Sequence, residues 1–433
     1  SLMRTNTMRR YRPTLRKAFL GSVYTISLLV WVALVIDTVG LAQRAATPPV
    51  FPTTTPAAAP TAPATPPRVA AALPANLLQS IAPEADQRVA SFHPKTGRYI
   101  AAWLPDSFDS TNRQSFEANA DILDEVSPFW YAPDTRGNLL HGSDARDKAL
   151  IELAHGKNVW VIPTIHNIVN GTDPVPAILR SPERRRQHIR NIVAEVLAYS
   201  YDGIDIDYES IDSSLRDEYS AFIADLAAAL HSQGKQLTIA VHAKNCDYCG
   251  LGGFQDWATL GQAVDRLRIM TYDYHWRGSS RPGPVAPIYW VGKVADYAKT
   301  VVDPAKVVIG VPFYGYNWPT VGGNATAQTW EMINNLHQAY SLDVNLKESD
   351  ENGLVQENWM TYSTRQDGRR EVWFATSRGL EAKLGLVQQM DLAGIAIWRL
   401  GGEDPQNWEV IRGKLVQDPF ESQRMLNNVL PDH

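Results

Sequence analysis

Cysteine is nearly absent. Of 433 residues only Cys246 and Cys249 carry a thiol. Two ligands with two residues between them do not make a zinc site, and neither a histidine partner nor a helix N-terminus is evident beside them to activate a thiolate. Outside the cytoplasm such a pair is expected to form a local disulfide. The ten histidines are scattered, with no His-Glu-x-x-His spacing for a metalloprotease. Positive charge is not in excess: the net charge is −5, and nothing in the balance points to nucleic-acid binding. No Gly-rich phosphate turn follows the first predicted strand, which makes a doubly wound nucleotide-binding sheet an odd fit. No internal repeat is evident.

What is present begins with an asymmetric N-terminus. Arg4, Arg9, Arg10, Arg12, Arg16 and Lys17 precede an apolar run from Ala18 to Ile36, which stops at Asp37. The run is long enough to span a bilayer, and the basic flank would place the start inside and everything later outside the cytoplasm. Gly40-Leu41-Ala42 also reads as a small-x-small cleavage site, so a retained anchor and a cleaved signal peptide both stand. From Ala45 to about Pro74 the chain is nearly all Pro, Ala and Thr, a composition that cannot bury a core and favours a semi-rigid spacer. The expected organisation is a basic cytoplasmic N-terminus (1–17), a transmembrane anchor or signal peptide (18–42), a Pro/Ala/Thr-rich linker (43–90), a catalytic domain (91–417) and a tail (418–433). A membrane would be contacted through 18–36, and the remainder would be secreted or held at the cell envelope.

From about Arg98 short apolar strands alternate with amphipathic helices. Strands are predicted at 98–104, 126–131, 158–164, 202–209, 237–242, 267–272, 307–311 and 394–398. Helices are predicted between them, among them one opened by the cap Ser181-Pro182-Glu183 and one at 215–231 closed by Gly234. Eight such units predict an α/β fold, the (β/α)8 TIM barrel, whose active site lies at the C-terminal ends of its strands. The stretch 318–374, between the seventh strand and the last helix, is in excess. A helix at 329–340 and a hairpin about Gln366-Asp367-Gly368 predict a small α+β insertion forming one wall of a cleft.

The fourth strand reads Asp-Gly-Ile-Asp-Ile-Asp-Tyr-Glu from Asp202 to Glu209. Side chains alternate in a strand, so Gly203, Asp205, Asp207 and Glu209 share one face, the acids about 7 Å apart. Ile204, Ile206 and Tyr208 share the other. Stacked acids repel unless some hold protons, and that arrangement can keep a carboxylic acid protonated near neutral pH as a proton donor. An edge strand with one solvated face would show the same alternation, but would rarely use Asp twice.

These residues resemble the signature of glycoside hydrolase family 18, the chitinase-like barrels. Met270-Thr271-Tyr272-Asp273 on the sixth strand is similar to the family's Met-x-Tyr-Asp, and Trp398 on the eighth resembles its subsite-floor Trp. The run from Met270 to Trp276, followed by Pro282-Gly283-Pro284-Val285-Ala286, together with Val372-Trp373-Phe374 and Trp398-Arg399-Leu400-Gly401, is closer to a bacterial branch of spore-cortex and other peptidoglycan N-acetylglucosaminidases. The resemblance covers about Arg98 to Trp408. LysM-type wall-binding repeats, common in that branch, are missing, which puts a sporulation role in doubt but not the chemistry.

The resemblance implies a retaining, substrate-assisted glycosidase acting on β-1,4 bonds of N-acetylglucosamine-containing glycans, peptidoglycan ahead of chitin. Glu209 would protonate the glycosidic oxygen. The substrate's own acetamido oxygen would attack. Asp207 would hold the acetamido N–H and stabilise positive charge, Asp205 would share a proton with Asp207 and help tune it, and Tyr272 would orient the acetamido oxygen. Asp273 and Met270 would contact substrate, and Trp398 would stack beneath the sugar. No metal or organic cofactor is implied.

Trp103, Tyr131, Trp276 and Tyr314, near predicted strand ends, are further candidates for a sugar groove, as are Trp130, Tyr316 and Trp318; each could equally be packing. His166 and His275 could line the cleft. Two other classes of function are weighed. A lectin-like barrel that only binds chitin or peptidoglycan would commonly lack the acid found at Glu209. A calcium-binding scaffold would need a Gly-bearing loop spacing that the acidic strand lacks.

Overall fold

The computed structural model describes residues 94–105, 110–167, 171–365 and 368–415. The expected N-terminal segments (1–17, 18–42 and 43–90) and the tail (418–433) lie outside the described residues. Among the described residues no helix is long and apolar enough to cross a membrane.

Ten α-helices and fifteen strands follow in chain order among the described residues, with three short 3-10 turns between them. The first half comprises β1 (Tyr99–Leu104), α1 (Ser110–Asn119), β2 (Glu125–Pro133), β3 (Leu139–His141), α2 (Lys148–Gly156), β4 (Trp160–Val161), β5 (Thr164–His166), α3 (Val175–Leu179), α4 (Pro182–Ala198), β6 (Gly203–Asp207), α5 (Arg216–His231), β7 (Gln236–His242), α6 (Trp257–Ala263) and β8 (Arg266–Met270). The second half comprises α7 (Ile288–Val301), β9 (Val307–Pro312), β10 (Gly315–Pro319), β11 (Thr326–Gln328), α8 (Trp330–Tyr340), β12 (Asn345–Asp350), β13 (Gly353–Thr364), β14 (Gly368–Phe374), α9 (Ser377–Gln389), β15 (Gly394–Trp398) and α10 (Gln406–Leu415).

Strands β1, β2, β5, β6, β7, β8, β9 and β15 pair in parallel, and β15 pairs back to β1, so the sheet closes into the (β/α)8 barrel expected. The third predicted strand is split into β4 and β5, because Pro163 between them has no N–H to give the ladder. Its carbonyl still accepts the Asp205 N–H at 2.9 Å, which keeps β6 in place. Helix α4 starts as its sequence predicts, with Ser181 Oγ accepting the Arg184 N–H at 3.3 Å.

Strand β6 shows both faces of its alternation. Ile204, Ile206 and Tyr208 pack outward into the layer between barrel and helices. There Tyr208 stacks on Phe222 of α5 and on His188 of α4, and shares a 2.6 Å hydrogen bond with His188 Nε2. Each isoleucine so buried contributes on the order of 2 kcal/mol. Asp205 and Asp207 point into the barrel.

The insertion is a five-stranded antiparallel sheet in the order β11-β10-β14-β13-β12. It begins at Gly315, three residues before the predicted Trp318. Gly315 lies against β14 so closely that a Cβ there would meet the Trp373 carbonyl oxygen at 2.4 Å. Helix α8 covers one face through Ile333, Met360, Val372 and Phe374. The other face packs Tyr316, Trp318, Val355 and Trp373 with Tyr272 and Tyr314. The fully buried Glu357 accepts the Val285 and Ala286 N–H groups at 2.7 and 2.6 Å, fastening β13 to the segment after β8.

Candidate active site

The acids of β6 rise from the middle of the barrel to its mouth. Asp205 is fully buried and surrounded by donors. Its Oδ2 accepts Trp103 Nε1–H and Thr164 Oγ1–H, both at 2.9 Å, and its Oδ1 accepts Thr238 Oγ1–H at 2.7 Å. Burial pushes its pKa up, and these three hydrogen bonds pull it back. Asp207, next along the strand, is pushed well above the ordinary range by burial and by the charges of Glu209 and Asp205. Its Oδ1 is buried with no hydrogen-bond partner among the described residues.

Glu209 lies just past the strand. Its backbone is clamped by one side chain: Asn167 Nδ2–H donates to the Glu209 carbonyl at 2.8 Å, and Asn167 Oδ1 accepts the Glu209 N–H at 2.9 Å. The Glu209 carboxyl keeps 18% of its surface exposed, the outermost of the three. Burial, then the nearby Asp273 carboxylate, raises its pKa to about 7. His242, at the end of β7, places Nε2 3.7 Å from Glu209 Oε2.

Two strands along the barrel from β6, past β7, the end of β8 brings in the second motif. The ring of Tyr272 lies over Gly310 of β9, where a Cβ would come within 2.8 Å of Tyr272 Cε1. The Tyr272 phenol is pushed up by burial first, then by the charges of Asp207, Glu209, Asp273 and Asp205, so these five groups sit within electrostatic reach of one another. Asp273 adopts φ +60° and accepts Tyr314 O–H and, at 3.1 Å, Tyr316 O–H. Burial raises its pKa to about 6 against those hydrogen bonds. Tyr272 and Tyr314 meet edge to face at 6.2 Å. Met270 ends β8, in register with His242. Trp398 ends β15, half-buried, with its ring edge-to-face with Phe129 at 5.0 Å and Trp103 at 6.0 Å.

The structure thus brings together Asp205, Asp207, Glu209, Tyr272, Asp273, Tyr314 and Trp398. It corrects three of the aromatic candidates. Trp103 is 1% exposed and lies beneath the mouth, holding Asp205 rather than facing solvent. Tyr131 is fully buried on the helix side, with its hydroxyl bonded to Glu195 and Tyr201 at 2.7 Å. A register shift between Phe129 and Tyr131 breaks the alternation there, so the ring near Trp398 is Phe129. Trp276 is buried against Gly278 of its own loop. His166 stacks on Phe129, and His275 Nδ1 is bonded to the Pro284 carbonyl at 2.9 Å. Cys246 and Cys249 are joined in a disulfide in the segment after β7. Among the described residues no cluster of three or more His, Cys, Asp or Glu is placed to hold a metal ion.

Sequence reasoning missed Asn167, His242, Thr238 and Phe129. Thr238 and His242 share the inward parity of β7, and Phe129 that of β2, a signal that alternation could have given. Asn167 carries no such signal, since only the packing of two loops brings it to Glu209.

The profile of the family described as Glycosyl hydrolases family 18 matches residues 157–403. The YdhD protein of Bacillus subtilis (strain 168), which carries the provisional description of a sporulation-specific glycosylase, is 31% identical over 340 residues, 76% of this chain and 79% of that one. The cortical fragment-lytic enzyme of Bacillus anthracis is 30% identical over 268 residues, 60% of this chain and 61% of its own length. Among solved structures, the Bacillus cereus spore cortex-lytic enzyme SleL aligns with a TM-score of 0.67 at 25% identity, over 73% of this chain and 74% of SleL. A chitinase from Chromobacterium violaceum aligns with a TM-score of 0.67 at 26% identity, over 74% of this chain and all of its own.

Proposed function

The chain belongs to glycosyl hydrolase family 18, on its spore-cortex branch, and from that premise we propose that it is a retaining, substrate-assisted enzyme with a preference for peptidoglycan. That it is a glycoside hydrolase of N-acetylglucosamine-containing glycans follows from the membership itself. The observation that carries the finer reading is the graded column Asp205, Asp207 and Glu209, anchored at its base and holding a carboxyl raised to about 7 at its rim.

In this reading Glu209 gives its proton to the glycosidic oxygen as the bond from that oxygen to C1 breaks. The acetamido carbonyl oxygen of the same sugar bonds to C1, forming an oxazolinium ring. Asp207 accepts the acetamido N–H and faces the positive charge. The Tyr272 hydroxyl donates to the acetamido oxygen, and Asp273, fixed by Tyr314 and Tyr316, contacts the sugar. Water then adds to C1 from the side the leaving group vacated as the C1–O bond of the oxazolinium ring breaks and its electron pair returns to the acetamido oxygen; the water gives its proton to the Glu209 carboxylate, and configuration is retained. Trp398 forms the floor under the ring.

The peptidoglycan preference is supported by the likeness to cortex-lytic enzymes. Its test is parallel digestion of muropeptides, wall polymer and chitin oligomers. Release of reducing ends from chitin alone would overturn the preference, and release from glycans without acetamido groups would overturn the mechanism. Anchoring at the cell envelope is proposed on the basic flank, the apolar run and the spacer of the sequence. Recovery of the full chain in the soluble cytoplasmic fraction would refute it.

A further inference from the structure

Beneath the acids the barrel holds a charged pair that the chemistry above does not use. Arg268 of β8 and Glu125 of β2 are both fully buried and form an ion pair. Arg268 Nη1 also donates to Ser127 Oγ at 2.9 Å, and Nη2 to Tyr99 Oη at 3.2 Å. Glu125 accepts Ser127 Oγ–H at 2.7 Å and the Tyr99 hydroxyl. Apolar side chains of similar volume would fill a barrel floor without stripping two charges of water. A buried pair that persists there invites a further role.

The neighbour of Arg268 supplies one. Nη1 lies 3.5 Å from Asp205 Oδ1. The guanidinium carbon also stands 5.5 Å from the centre of the Trp103 ring, whose Nε1 donates to Asp205 Oδ2. Asp205 therefore meets Thr238 and Arg268 at one oxygen and Trp103 and Thr164 at the other. Trp103 Nε1 and Arg268 can only donate, so a proton on Asp205 would face a donor at either oxygen. The other titratable groups within electrostatic reach of Asp205 are Asp207 on its own strand, Glu125 on β2, Tyr219 of α5 and Tyr272 just past β8.

We propose that Arg268, set in place by Glu125, is a positioning residue that fixes Asp205 as the permanent anion of the trio, leaving the mobile proton to Asp207 and Glu209. The proposal rests on the family 18 reading of those acids. Asp207 Oδ1, buried without a partner among the described residues, is where that proton has room.

The test uses the double variant Arg268→Met with Glu125→Gln, which leaves no unpaired buried charge, and Arg268→Lys, which keeps the charge. The carboxyl carbon of Asp205, assigned with Asp205→Asn, is followed by 13C NMR from pH 5 to 8. In the wild type it is expected to stay ionised throughout. In the double variant it should be protonated or titrate within that range. The acidic limb of kcat/KM on chitin oligomers should rise by about one pH unit, a roughly tenfold loss at pH 5, and Arg268→Lys should restore most of it. An Asp205 that stays ionised in the double variant, with an unmoved limb, overturns the proposal. Should the double variant not fold, Glu125→Gln alone frees the guanidinium for Asp205 and should lower the limb; an unmoved limb there overturns it equally. A wild type that cleaves no acetamido glycan would sink the family 18 mechanism, while the NMR would still decide Arg268.

Discussion

His242 Nε2 accepts the Ser210 N–H at 3.1 Å while standing 3.7 Å from Glu209 Oε2, so one imidazole braces the backbone of the residue after the acid and lies beside the acid's carboxyl. Accepting there requires the neutral ring, and burial lowers its pKa to about 4. The unfolded chain takes up this proton near 6.5, so the contribution to stability is full above that pH and is lost as pH falls toward 4. His242→Gln is expected to lessen that acid destabilisation by up to about 3 kcal/mol, and to lower kcat several-fold by loosening Glu209. Urea midpoints at pH 7 and 4.5 check the first, and steady-state kinetics the second. Equal pH dependence of the two proteins' stability would refute the brace.

Glu209 works as a proton donor only while protonated. With its pKa at about 7, kcat/KM is expected to fall as pH rises through 7. Glu209→Gln should reduce turnover by about 10²- to 10⁴-fold while glycan binding persists. The raised pKa also means the folded state holds this proton longer than the unfolded one. Its stabilisation is full below about 4.5 and lost as pH rises through 7. The Gln variant should therefore gain about 1–2 kcal/mol over wild type at pH 8 and almost nothing at pH 4. Undiminished hydrolysis by a folded Glu209→Gln protein would remove Glu209 from the mechanism.

Tyr272→Phe deletes one hydroxyl and little packing. If that hydroxyl orients the acetamido oxygen, kcat should fall about 10²-fold with KM nearly unchanged. Loss confined to KM would instead mark Tyr272 as a simple contact.

Gly310→Ala tests the seat of the Tyr272 ring. The added methyl would lie 2.7 Å from the Ile269 carbonyl oxygen and 2.8 Å from Tyr272 Cε1. A loss of about 1–3 kcal/mol in stability is expected, together with a fall in kcat resembling that of Tyr272→Phe. Wild-type activity in this variant would show that the ring need not rest there.

By itself the sequence determined the alternation of strands and helices, the inward column at Asp205, Asp207 and Glu209, and the pairing of Tyr272 with Asp273 past the next motif strand. These are local consequences of a period of two in strands and of caps and breakers at helix ends, and they need no knowledge of distant residues. Tertiary structure alone decided which oxygen of Asp205 meets Trp103 and which meets Thr238, that Asn167 grips the backbone of Glu209, and that Phe129 rather than Tyr131 approaches Trp398. Closing a ring of eight strands brings residues more than a hundred positions apart into contact, as with Arg268 and Glu125. A one-residue shift in β2 reverses which side chains point inward. Neither ring closure nor such a shift leaves a mark in the local pattern, because both are fixed by how whole strands fit their neighbours.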